Sequence, residues 1–367
     1  MRLRKREELV EWVDRQISNC VKCGACHASC PVFRVKKSEI SGMRGKMALL
    51  QALSSSKDSI LKPLSDDIAN NFSDCFSCSN CRSACVNKVE TLFISDLIKP
   101  YLFAEEYAKI ESALNFRNSA EAVRSELGGN AVFFVGTMQG ESSAANAIRK
   151  ENIKSVMNFL KQETVFLDDH FELSAASRFE GDLSTRISWV VQFLLKAAKV
   201  PASEILIMNP DILYLIKLTE ILIDFNESEI EALKKIIHVS AFLERFEFNF
   251  SKKIDGKYAY FDSCLALSGV FNCAASKKIL NKVLAEKITE IPQEGLCCGG
   301  KLKNGNAQSV EMYDKNRDYF RAKLQKFGIT NLVTDNLYCL ENMSELFREA
   351  KIKVFSSIEL LAPGIKC

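Results

Sequence analysis

Cys20-Val-Lys-Cys23-Gly-Ala-Cys26-His-Ala-Ser-Cys30-Pro31 and Cys75-Phe-Ser-Cys78-Ser-Asn-Cys81-Arg-Ser-Ala-Cys85 repeat one spacing and hold eight of the fourteen cysteines. Three thiolates set two residues apart can bend around one cube of iron and sulfide, each capping a different iron. The fourth cysteine of each run, one residue further on, faces away and ligates the other cube. The spacing therefore predicts two [4Fe–4S] centres, the first on Cys20, Cys23, Cys26 and Cys85, the second on Cys75, Cys78, Cys81 and Cys30. Pro31 turns the chain out of its loop, where a fixed φ and a missing N–H cost little. The second run has Val86 at that place and matches less completely.

Competing uses of these thiols fit less well. Structural zinc favours two separated CxxC pairs, four ligands to a site. Disulfides need an oxidising compartment, and no apolar signal stretch precedes Cys20. Cys23-Gly-Ala-Cys26-His27 satisfies a c-type haem attachment pattern, but that reading leaves the other cysteines of the run idle.

Composition agrees. The 367 residues predict two or three domains, 47% hydrophobic is ordinary for a globular core, and no apolar run reaches membrane-spanning length. A net charge of +3 is too small to imply nucleic acid. The basic start, Arg2, Arg4, Lys5 and Arg6, is answered at once by Glu7 and Glu8 and reads as a solvated helix end. So many cysteines without an export signal point to metal-held thiolates in a reducing compartment, the cytoplasm.

Hydrophobic spacing divides the chain. Leu9, Val10, Trp12, Val13 and Ile17 recur at helical intervals, as do Met47, Leu50 and Leu53 within Met43–Leu53, so residues 1–103 read as an all-helical ferredoxin-like domain bracketing both runs. A helical connector, 104–127, ends at Gly128-Gly129. Beyond it, strands alternate with helical segments twice over. Ala131-Val-Phe-Phe-Val-Gly136-Thr137 and Tyr258-Ala-Tyr-Phe-Asp-Ser-Cys264, short apolar strands ending at a turn, open the two copies, and Glu204–Asn209 mirrors Thr330–Asp335. The fold class is thus α plus α/β, with Rossmann-like lobes at 128–225 and 250–367 joined by a helical linker, 226–249.

Ligands of open parallel sheets sit at the carboxyl ends of strands. The second lobe puts Cys264, Cys297-Cys298-Gly299-Gly300 and Cys339 there, a third site at which an iron–sulfur cluster, zinc or a thiol pair all remain open. The two glycines let the backbone curl tightly. In the first lobe Thr137, Asp168 to His170 and Leu213 fall at the matching places, so that copy is degenerate and reads as structural or docking. Cys273 reads as a small buried hydrophobe at a helix start, Cys367 as terminal, and His238 as structural.

The paired runs, the Cys-Cys-Gly loop and the doubled lobe resemble the iron–sulfur subunits of glycolate oxidase and their relatives among the CCG-domain iron–sulfur oxidoreductases. Residues Cys20–Phe33 and Glu39-Ile-Ser-Gly-Met-Arg44-Gly45-Lys46 carry the resemblance most closely; Met43 replaces a family proline and Lys46 a family arginine. The cationic pair Arg44 and Lys46 is then expected to stabilise a reduced cluster or to dock an acidic partner surface. The family's last CCG cysteine is replaced by Asn342. The resemblance implies an electron-transfer subunit, cytoplasmic or peripheral at the cytoplasmic face of the inner membrane. There a partner FAD-linked oxidase flavoprotein oxidises glycolate or D-lactate and a quinone or another carrier accepts the electrons. No GxGxxG fingerprint follows a strand, so no FAD or NAD is expected in this chain. A heterodisulfide-reductase-like subunit acting through the Cys-Cys-Gly site is the alternative.

Overall fold

The computed structural model describes residues 2–55, 72, 75–102, 104–115, 131–135, 143–166, 182–200, 202–248, 250, 253–293, 295–300 and 307–365. Helices dominate, with three small sheets, a mixed α plus α/β chain.

Helices Arg6–Ser18, Met43–Ser55 and Thr91–Leu102 surround the two cysteine runs. The first buries Leu9, Val13 and Ile17, an i, i+4, i+8 stripe, and the second buries Met43, Met47 and Leu50 against it. The connector is helical over Ala104–Asn115; its expected end at Gly128-Gly129 lies outside the described residues.

The first lobe is a parallel sheet ordered β3-β2-β4-β6, with β2 at Ala131–Val135, β3 at Glu163–Phe166, β4 at Ile205–Ile207 and β6 at Ile236–His238. The segment expected as a helical linker is helical over Glu227–Lys235 and then supplies β6, so the sheet takes in part of 226–249. In the second lobe β7 (Tyr258–Tyr260), β8 (Asn331–Val333) and β9 (Lys353–Phe355) run parallel in that order, and Thr289 bridges the free edge of β7 at Ala259. Counting that bridge, the two sheets share one strand order, second-first-third-fourth.

The basic start is not a free helix end. Arg2–Leu3 (β1) pairs antiparallel with Ile223–Asp224 (β5), and Arg2 and Arg4 both bond Asp224, the latter at 2.7 Å. Two-residue strands carry no periodic signal, and the carboxylate that meets these cations lies far along the chain. One continuous core joins the ferredoxin-like helices to the first lobe, through Leu97, Tyr101, Val190, Leu194, Leu215 and Leu218 among others. Among the described residues no helix is long and apolar enough to cross a membrane.

Candidate functional site

The two cysteine runs fold alike although their intervening residues differ. Lys22 and Ser77, before the second cysteine of each run, have φ of 54° and 51°, and Gly24 and Ser79, just after it, have φ of 85° and 58°. Left-handed residues alternating with ordinary ones coil the backbone so that successive N–H groups face inward, toward negative charge. Three of the four are not glycine, a strain that surrounding structure must hold in place.

Each loop walls a cavity. Cys20, Cys23 and Cys26 line one, and Cys85 from the other run completes it together with Arg44. Cys75, Cys78 and Cys81 line a second, and the visiting cysteine there is Cys30. The fourth cysteines are thus exchanged, because Cys30 caps the start of helix Pro31–Lys36 and Cys85 the end of helix Asn80–Ala84. The cationic pair is divided too: Arg44, bonded to Glu39 at 3.3 Å, lines the first cavity and Lys46 the second.

The cavities differ in setting. Cys23 is exposed and Val21 and Val86 beside it are 64% and 71% exposed, whereas Cys78 is buried. Every thiol of the second quartet has a hydrogen bond. Phe33 N donates to Cys30 Sγ at 3.5 Å, Ser77 N to Cys75 at 3.3 Å and Asn80 Nδ2 to Cys78 at 3.2 Å, while Cys81 Sγ and Thr91 Oγ1 share one at 3.0 Å. Burial, then neighbouring Cys78, pushes the Cys30 thiol up to about 12, and burial drives Cys81 well above the ordinary range. Four buried thiolates repel one another unless a cation compensates them, and metal binding releases the protons. Lys46 is 2% exposed, and among the described residues its ammonium has no ion pair. A buried cation that lies over the Phe72 ring at 5.9 Å and lines the same cavity as four thiols, without an ion pair among the described residues, fits a cavity built for an anionic group. The donor set and the cradle both suit a [4Fe–4S] cube.

In the second lobe four cysteines meet. The Cys339 thiol donates to Cys298 Sγ at 3.4 Å and hydrogen-bonds Cys264; Cys297 bonds Cys298. These sulfur contacts, then burial, hold Cys297 and Cys339 well above the usual thiol range. Asn342, where the resemblance led to the expectation of a cysteine, is buried and donates through Nδ2 to the Cys298 carbonyl at 2.5 Å, bracing the loop. Among the described residues no three His, Cys, Asp or Glu side chains are spaced for a single metal ion.

No motif signals that these thiols adjoin the second quartet. Cys297 also hydrogen-bonds Cys78, so a run of touching thiols leads from one site to the other. Arg34 donates to Gly295 O and Asn316 Oδ1, both at 3.2 Å, and lies over the Tyr319 ring at 3.8 Å; Asn316 donates to Cys297 O at 2.7 Å. Arg34, Asn80 and Asn316 were missed because their partners are more than two hundred residues away or carry no motif. Cys273, at the start of helix Ala274–Val283, packs half-buried against two apolar clusters as expected and in addition donates to Asp262 Oδ1 at 3.1 Å, beside Lys277. Thr137, Asp168, His170 and Cys367 lie outside the described residues. Leu213 is the third residue of helix Asp211–Leu222, as Cys339 is of helix Leu337–Leu346, so the first lobe presents carbon where the second presents sulfur.

Residues 16–89 match the 4Fe-4S dicluster domain family. A 76-residue stretch, 21% of this chain, is 29% identical to the glycolate oxidase iron–sulfur subunit of Escherichia coli (strain K12), and spans 17% of that protein's length. A crystal structure of a hypothetical protein from Helicobacter pylori aligns over 97% of this chain and 66% of its own, at 11% identity and a TM-score of 0.43. The two sequence matches mark the chain as an iron–sulfur protein of the electron-transfer kind.

Proposed function

We propose that this chain is the electron-transfer subunit of a flavin-dependent 2-hydroxyacid oxidase or dehydrogenase, acting on glycolate or D-lactate through a partner FAD protein. The observation that carries the reading is the exchange of Cys30 and Cys85 between two otherwise separate cavities. Cys20, Cys23, Cys26 and Cys85 hold the first [4Fe–4S] centre, and Cys75, Cys78, Cys81 and Cys30 the second. When bound, such centres take up and release single electrons.

The chain's own residues divide the labour. The exposed rim of the first site, Val21, Cys23 and Val86 with Lys22 and Arg44, offers the face on which the flavoprotein docks. Lys46 and four hydrogen bonds stabilise added negative charge at the second site. Cys264, Cys297, Cys298 and Cys339 form a third station, on a cluster of their own, from which electrons leave toward a quinone or another carrier. The cysteine-free lobe serves as the bed on which the helical domain rests. A second reading draws on the Cys298–Cys339 contact: two adjacent thiols suit direct attack on a disulfide, as in a heterodisulfide reductase.

Anaerobic purification with iron and acid-labile sulfide counting and paramagnetic resonance tests both. The first reading expects about eight irons from the two quartets and more from a third site, with clusters reduced by the flavoprotein and its hydroxyacid. Cys85→Ser should alter the signal of the first centre and Cys30→Ser that of the second. Iron confined to the quartets, with Cys298 reacting with a heterodisulfide, favours the second reading. A colourless, iron-free product defeats both.

A further inference from the structure

Asn80 lies between Cys78 and Cys81, is 3% exposed, and belongs to neither quartet. Its side chain makes three bonds at once. Nδ2 donates to Cys78 Sγ at 3.2 Å and to Leu296 O at 2.9 Å, while Oδ1 accepts from Gly295 N at 3.2 Å. Gly295 and Leu296 lead directly into Cys297 and Cys298. One amide therefore touches a sulfur of the second quartet and clamps the segment that carries the next thiols.

We infer that Asn80 is a positioning residue that sets the reduction potential of the second centre and ties it to the seating of the Cys297–Cys298 loop. The inference rests on the proposal that this quartet holds a cluster. An N–H donated to a thiolate stabilises negative charge, and reduction adds one electron, so the bond favours the reduced form. Phe33 N and Ser77 N donate to Cys30 and Cys75, and Thr91 Oγ1 shares a hydrogen bond with Cys81, all from within the helical domain. Asn80 differs because the orientation of its amide is fixed by the far lobe. It cannot turn away from Cys78 without releasing Gly295 and Leu296. Arg34 braces the same segment through Gly295 O without bonding a quartet sulfur. Gly295 takes φ of 72°, and a Cβ there would come within 2.6 Å of Arg34 Nη1, so the segment is fitted closely to its clamp.

The full-length chain, purified without oxygen, is titrated electrochemically while both centres are followed by paramagnetic resonance. Asn80→Asp keeps an acceptor for Gly295 N and replaces the donor to Cys78 by a negative oxygen; Asn80→Ser withdraws it. Both should make the second centre at least tenfold harder to reduce, 59 mV per tenfold for one electron, while the first centre in the same sample stays put. Arg34→Lys keeps the charge but loses the fork and the stacking, and should shift the second centre in the same direction by less. A second centre unmoved, or both centres moved together, in the Asn80 variants overturns the inference. If those variants fail to hold the second centre, Arg34→Lys decides, and an unshifted second centre there overturns it equally. A wild-type chain without iron fails earlier and by a different sign, since it removes the reading on which the inference stands.

Discussion

Gly299 sits at φ 75°, and a Cβ placed there would come 2.7 Å from the Tyr313 ring; at Gly300 it would run into Tyr338. Two tyrosines are packed directly on the backbone that presents Cys297 and Cys298, so glycine is required by space as well as by conformation. Gly299→Ala should destabilise the chain by about 2–4 kcal/mol, the sum of left-handed strain and overlap. Combining it with Tyr313→Ala should relieve the overlap and leave the strain, which a denaturant double-mutant cycle separates. His238 offers a different residue-scale test. Burial holds its imidazole below the ordinary 6.5, with Asp335 opposing, and Ser240 Oγ and Met208 O occupy its two nitrogens. The unfolded chain takes the proton first, so stability should fall as pH drops below 6.5 and level off once the folded-state value is passed. His238→Gln should flatten that slope, leaving the smaller part from His27, which burial also lowers. An unchanged slope between pH 7 and 5 would remove His238 from the account.

At the scale of elements, the helices around the cysteine runs were legible because thirteen-residue segments such as Arg6–Ser18 repeat their apolar stripe several times. Ile236–His238 was not. Three residues cannot display a period, and what makes them a strand is pairing with β4, a tertiary fact. The run spacing likewise anticipated which cysteines line each cavity but could not disclose that Asn80 meets Leu296, 216 residues away. The helix leading into β6 begins with a capping box: Asn226 accepts from Glu229 N at 3.0 Å while Glu229 accepts from Asn226 N at 2.8 Å. Its signature, Asn-x-x-Glu, stands in the sequence. Asn226→Ala should cost about 1 kcal/mol, and because the helix feeds the edge strand of the first lobe, amide exchange should accelerate in β6 as well as in the helix. Acceleration confined to the first helical turn would show that strand and helix open independently.

At the scale of the whole molecule, the cysteine-free lobe acquires its purpose from the shared core. Leu97 and Tyr101 of the helical domain lie in one apolar cluster with Val190, Leu194 and Leu215, and Phe93 stacks on Tyr214 at 5.2 Å. Tyr214 and Arg186 both reach Asp96, placing a polar anchor at the edge of that cluster. A helical domain that wraps two cavities spends much of its apolar surface around them, and the neighbouring lobe supplies the rest of its core. The second lobe meets the same domain through apolar contacts too, Val32 and Phe76 against Met312 and Tyr313, and adds polar clamps, Arg34 and Asn80, beside the cysteine-bearing loop. Both lobes thus bury apolar surface against the helical domain, and the second adds hydrogen bonds directed at its cysteine-bearing loop, which suits a junction. Leu194→Ala, buried and remote in sequence from every cysteine, should cost about 2–5 kcal/mol. If the core is shared, bleaching of the cluster absorbance and loss of helical ellipticity should move to lower temperature together and by equal amounts. Bleaching that stays at the wild-type temperature while ellipticity moves would show that the helical domain stands without its bed, and the degenerate copy would then need another explanation.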